Sequence, residues 1–418
     1  MSEFKLFSVK KFYFIEYFYI LLKSVEAHST EENIFNEFLI LKQKRRLGLS
    51  RYKKLTQDTP SSPKSMVKYK YTFKQVLAET EEYLLIRNEV SKIVLTDLGK
   101  KAIQEYEQNG YIKFNELLFS RMEKKHGAFR YLLNVCYQAN PEKSGLLIFP
   151  IYSPYRLDIK RASIKTSADL RNYFRLLKER LESDIDKYLG KKQVLDKKNE
   201  ELLHKLEKAN FLPTDRNMPF QQKEYTAILK RTRDFWLKYF LQDLYHYEFS
   251  LSSFDIWAYR GKQIGLLQIT EFYPDPNFSG RIVYPLSILN KNVQSKNFYE
   301  LHKYSNGEKL YLHKPSWENE DNREEFLRTL HKEYLDIRRY TRSYFVNLPN
   351  VREKVCYALK IPEYLFDLFL GRAYHEKNEI QISLEGDKLP EETNAMYLKR
   401  TPVMVDGKYR NIIAIDLA

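Results

Sequence analysis

Apolar residues recur along this chain with periods that change several times, and each change marks an element. Residues 12–22, FYFIEYFYILL, are almost continuously apolar, with Glu16 inside the run. A bilayer span takes about 20 residues, so the run predicts an amphipathic core helix and not a signal peptide or anchor. Residues 1–58 have a helical pattern, and TPSSPKSM, residues 59–66, is a Pro/Ser break. In YTFKQVLAETEEYLLIRNE, Phe73, Val76, Leu77 and Leu84 fall on one side of a helix. The short β-branched run Ile93, Val94, Leu95 then stops at Thr96 and Asp97. Either side chain can cap the next helix, in which Leu98, Ala102, Ile103 and Tyr106 repeat at helical spacing.

Further on, FRYLLNVCYQA predicts an apolar helix and LLIFPIY a buried strand. In residues 168–210, Leu170, Phe174, Leu177, Leu181 and Ile185 step by three and four among charged residues. Gly190 interrupts, and Leu202, Leu203 and Leu206 resume. This predicts a charged helical arm or hairpin, either packed inside a domain or used for dimerisation. Residues 222–247 form an aromatic-rich helical pattern. SFDIWAYRGKQIGLLQITEFYP predicts a β-hairpin: Phe254, Ile256 and Ala258 alternate, and Arg260-Gly261-Lys262 turn. GRIVYPLSIL adds a strand. Residues 319–346 predict a long helix with Phe326, Leu330 and Tyr334 inward, ended by NLPN. Two shorter helices follow, the second opened by Pro362, and then the strands EIQISLEGD and RNIIAIDL. Ile380, Ile382 and Leu384 alternate in step with Ile413, Ile415 and Leu417, so the two strands predict one antiparallel pair.

The fold expected is helix-dominated α+β. The 418 residues exceed one ordinary core, and the pattern divides them at 1–126, 127–318 with the charged arm, and 319–418.

Charge changes the picture. The 70 Lys and Arg against 55 Asp and Glu give a formal +15, which suits a polyanionic partner. The two cysteines, Cys136 and Cys356, sit in apolar helical stretches as small hydrophobes. The eight His are scattered without metal-ligand spacing. No apolar stretch is long enough for a membrane span, and a cytoplasmic location is expected.

The segment LTDLGKKAIQEY resembles the LTxxGxxxL ending of winged-helix DNA-binding proteins, with Ile103 at the last apolar position and Gly99 allowing close packing. Residues 320–417 resemble a second winged helix, with VREKVCYALKIPEYLFDLFLGRAYH as helix-turn-helix and the two last strands as wing. The resemblance implies winged-helix-like domains at both ends around a helical and β middle section. It also implies double-stranded DNA as a partner, read by a helix in the major groove with a wing on the backbone.

Cations that would meet phosphate are Lys42, Lys44, Arg45, Arg46, Arg51, Lys53 and Lys54 in KQKRRLGLSRYKK, where Tyr52 could stack on a base. To these the N-terminal copy adds Lys68, Lys70, Lys74, Arg87 and Lys92, and the C-terminal copy Arg338, Arg339, Arg342 and Arg372. The C-terminal recognition segment is largely apolar and suits protein docking as well as DNA.

Catalytic motifs are scarce: GxxxxGK[ST], GxGxxG and GxSxG are all missing. One alternative is a divergent PD-(D/E)xK-like nuclease on the hairpin, with Asp255, Gln268 and Glu271 around Mg2+; Thr270 stands where that motif has Lys. Asp416 is read as a wing-strand residue. The expected function is therefore non-catalytic duplex-DNA binding without a cofactor, as one subunit of a prokaryotic multi-protein system, with defence against phage or plasmids as the first setting. The other alternative is a structural adaptor holding partner subunits.

Overall fold

The computed structural model describes residues 9–44, 63–139, 147–149, 251–269, 281–376, 379–386, 403–406 and 408–417, with a few isolated positions besides. The basic run 45–54 and the aromatic-rich segment 222–247 lie outside the described residues, as does nearly all of the charged arm 168–210. The architecture is helix-dominated α+β with small antiparallel sheets.

In chain order the described elements begin with α1 (Glu16–Ala27), α2 (Glu31–Lys44), α3 (Pro63–Glu82), β1 (Ile86–Glu89), β2 (Lys92–Leu95) and α4 (Asp97–His126). Then come α5 (Ala128–Ala139), β3 (Leu147–Phe149), α6 (Leu251–Ile264), β4 (Leu267–Ile269), β5 (Arg281–Pro285), β6 (Ser287–Asn290), β7 (Phe298–Lys303) and β8 (Lys309–His313). The C-terminal module has α7 (Glu320–Thr341), β9 (Val346–Asn347), α8 (Leu348–Leu359), α9 (Glu363–His375) and β10 (Ile380–Glu385). It closes with β11 (Val403–Val405), β12 (Lys408–Arg410) and β13 (Ile412–Leu417).

These residues fall into two compact units, one of 7–133, 252–268 and 285–418, the other of 1–6, 134–251 and 269–284. In the second, β3 pairs antiparallel with β5, Leu147 opposite Val283. In the first, β6, β8 and β7 form an antiparallel sheet.

At the N-terminal end of the first unit, the apolar run predicted as a core helix enters α1 from Glu16 onward, with Phe18, Ile20, Leu21 and Leu22 fully buried, while residues 12–15 precede the helix. It packs on α2, α3 and α4. Thr96 is the N-cap of α4: its side chain accepts from the Gly99 amide at 3.1 Å and donates to the Leu84 carbonyl at 2.7 Å. The β1–β2 hairpin precedes it, Arg87 opposite Val94, and the Ile93 amide reaches back to the Ser29 carbonyl at 2.9 Å.

The C-terminal module also has three helices ahead of antiparallel strands, with the short β9 between the first two helices. Phe326, Leu330 and Tyr334 of α7 are buried against Val351 and Val355 of α8 and Phe366, Phe369 and Leu370 of α9. The sheet β10-β13-β9 completes the core, with Ile382 opposite Ile415 and Leu384 opposite Ile413, as the alternation predicts.

One expectation fails. Leu251–Ile264 is a helix, not the first strand and turn of a hairpin. Phe254, Ile256, Trp257, Ala258, Tyr259 and Arg260 are all buried. Where nearly every described position of a helix is buried, a short apolar run does not tell helix from buried strand. Arg260, expected in an exposed turn, lies in the core, where it meets the Glu79 carboxylate at 2.7 and 2.8 Å. Its guanidinium stands over the Phe12 and Trp257 rings.

Candidate nucleic-acid interface

Residues 63–75 of α3 carry four lysines and no carboxylate, whereas Glu79, Glu81 and Glu82 all fall in its last turns. Burial of Phe73, Val76 and Leu77 against the module core turns Val67, Lys68, Lys70, Tyr71 and Lys74 outward. Lys68 and Lys70 form no ion pair among the described residues, and Lys74 meets Glu31 at 2.5 Å. A cationic strip with an exposed aromatic ring therefore runs along the start of this helix. Such a surface neutralises phosphate and offers a stacking face.

The hairpin lies beside α3. Its two-residue tip, Val90 and Ser91, is held by a positive φ at Ser91, and Val90 is 96 % exposed. Arg87 and Lys92 are exposed on its two strands; Arg87 pairs with Glu89 at 2.7 Å. Asn88 is tied to Glu81 of α3 at 2.8 Å, which fixes the hairpin to the helix.

Lys44 ends α2 at the surface, and the rest of its run, Arg45, Arg46, Arg51, Lys53 and Lys54, lies outside the described residues. Lys42 does not join the solvent-facing cations. Its chain is 5 % exposed, with the ammonium 4.5 Å from the Tyr69 ring centre and 5.4 Å from that of Tyr17. Burial, with the like charge of Lys68 nearby, brings its pKa down to about 8. Helical spacing puts Lys42 on the same face as Phe35, Phe38 and Leu39, all buried on α2, which sequence charge alone hides.

The C-terminal cations are differently placed. Arg338 covers the Tyr344 ring at 5.0 Å, Arg339 meets Asp336 at 3.8 Å, and Arg342 takes a left-handed φ as the cap of α7. Arg372 on α9 is bound to Glu318. The core side of α9 packs on α7 and α8, and a flank is covered by the β11–β12 hairpin, whose Val403 and Val405 enter the same core. His375 is 2.9 Å from Asp406 of that hairpin. Leu368 and His375 are the exposed positions of α9, and Glu376 caps its end.

The hairpin expected to carry the nuclease alternative is not formed among the described residues. Asp255 lies on α6, Glu271 is outside the described residues, and Gln268 is fully buried, its amide donating to Glu363 Oε1 at 3.2 Å. Glu363 is the centre of a buried charge cluster. It meets Lys262 of α6 at 2.9 Å and Arg352 of α8 at 3.5 Å, and Arg352 also meets Asp367 at 3.2 Å.

No protein-family model, no curated protein and no solved structure matches this chain. No helix among the described residues is long and apolar enough to cross a membrane.

Proposed function

We propose that this protein binds double-stranded DNA through α3 and the β1–β2 hairpin, in the manner of a winged helix, as a non-catalytic subunit of a larger assembly. The observation that carries the reading is the strip Lys68, Lys70, Tyr71 and Lys74 on a stretch of α3 with no carboxylate of its own, beside an exposed hairpin; Lys68 and Lys70 carry the uncommitted charge, and Lys74 is met by Glu31 of α2. A helix entering the major groove needs cations and polar groups near its leading end, and a wing needs a protruding tip. The order of three helices and a hairpin ending in LTDLG supports the same reading.

The C-terminal module also sets three helices before strands, and its surface is different. Its α9 exposes Leu368 and His375, Glu376 caps its end, and its Arg372 is neutralised by Glu318. That surface favours contact with protein over contact with phosphate.

The test is duplex binding by the full chain, followed by fluorescence anisotropy across a salt series. Lys68→Ala, Lys70→Ala and Lys74→Ala combined should weaken binding to any duplex. The slope of log K against log salt should fall by about 0.9 for each phosphate that the variant no longer neutralises. Unchanged affinity and slope in a folded triple variant would remove α3 as the DNA surface.

A further inference from the structure

Helix α4 is broken in the middle. Gly110 sits at φ 77° and ψ −178°, a region that only glycine occupies readily. The two arms, on either side of residue 110, enclose a cleft of about 470 Å3. Lys101 and Glu105 line it from the first arm, and Lys113, Glu116, Arg121 and Lys124 from the second. Lys113 is engaged by Glu116 at 2.6 Å. Lys101, Arg121 and Lys124 make no ion pair among the described residues. Glu105, which accepts from the Asn109 amide at 2.8 Å, offsets part of this charge; the lining keeps an excess of cations, and the concave wall focuses their field.

We propose that this cleft binds a small soluble ligand carrying adjacent phosphate groups. Arg121 supplies a planar fork that can hold two phosphate oxygens at once, and Lys101 and Lys124 add point charges. The volume lies within the range of about 300–1,000 Å3 usual for small-ligand sites. A volume of this size accommodates a chain of a few phosphate groups. The site is separate from the α3 strip, and the proposal does not depend on DNA binding there.

The experiment is calorimetric titration of the full chain with inorganic tripolyphosphate and, separately, with ATP. Tripolyphosphate should bind saturably. Lys101→Ala, Arg121→Ala and Lys124→Ala combined should weaken it at least tenfold, with thermal unfolding confirming that the variant is folded. Lys100→Ala, which removes a neighbouring cation that faces Asp97 instead, should leave the affinity unchanged. ATP binding more tightly than tripolyphosphate assigns the site to nucleotides; equal binding assigns it to inorganic chains. The proposal is overturned by no saturable binding, by an unaffected triple variant, or by an equal loss in Lys100→Ala. It is also overturned if the Lys68, Lys70, Lys74 variant loses tripolyphosphate binding, since the anion then sits on α3.

Discussion

A Cβ placed on Gly99 would lie 2.1 Å from the Leu85 carbonyl oxygen, so at this position the start of α4 touches the backbone that leads into the hairpin. The Thr96 side chain, which joins the Leu84 carbonyl to the Gly99 amide, locks the same junction. The pattern LTDLG is thus a packing requirement: Thr caps and bridges, and Gly gives access. Gly99→Ala is expected to destabilise the protein by about 2 kcal/mol or more, because the atom it meets is backbone and cannot rotate away. Lys100→Ala, one residue on and exposed, should stay within about 0.5 kcal/mol. Urea unfolding of the two variants checks this, and equal stabilities would show that the α4 junction yields more easily than its geometry implies. Lys42 gives the opposite lesson at the same scale, since its position in a basic run says nothing of its burial under Tyr17 and Tyr69.

Three helices meet at Glu363. It opens α9, Lys262 reaches it from α6, and Arg352 from α8. Burial by itself would push the Glu363 carboxyl up, but the Arg352 guanidinium and the Lys262 ammonium outweigh it and hold the pKa down at about 2. An unfolded Glu titrates near 4.3. The folded state therefore binds the proton less readily, and the stabilisation is complete above about pH 4.3 and is lost as pH falls toward 2. Glu363→Gln should be less stable than the parent at neutral pH, and the difference should shrink between about pH 4.3 and pH 2. Thermal unfolding across that window checks it; a gap independent of pH would mean that the carboxylate charge is not what ties α6, α8 and α9 together.

At the scale of the whole molecule, a net charge of +15 does not by itself place a binding surface. Arg338 is engaged by the Tyr344 ring, Arg339 by Asp336, and Arg372 by Glu318. Lys68 and Lys70 are uncommitted among the described residues. Replacing Arg338, Arg339 and Arg342 together by Ala removes as much charge as replacing Lys68, Lys70 and Lys74. It is expected to change the salt slope of duplex binding by less than half as much, because each neutralised phosphate contributes about 0.9 and these arginines neutralise few. Parallel anisotropy titrations of the two triple variants compare them directly. Equal slopes would make DNA binding a property of overall charge and not of α3.

Period and punctuation in the sequence determined much of the fold. The 3.6-residue stripes of α3 and α7, the Thr96 cap, Pro362 before α9, and the two-residue alternation that pairs β10 with β13 are each legible because one face is buried and the other is not. Elements without such contrast were decided by tertiary structure. Helix α6 is buried at nearly all of its described positions, so its faces differ little in exposure, and along the chain Arg260 has the look of a turn residue although Glu79, 181 positions away, receives it in the core. The candidate site divides in the same way. Lysine spacing on α3 was readable along the chain. The burial of Lys42, the neutralisation of Arg372, and the folding of Lys101, Arg121 and Lys124 around Gly110 depend on which groups the fold brings close, and Coulomb and desolvation energies are set by distance in space, not by separation in sequence.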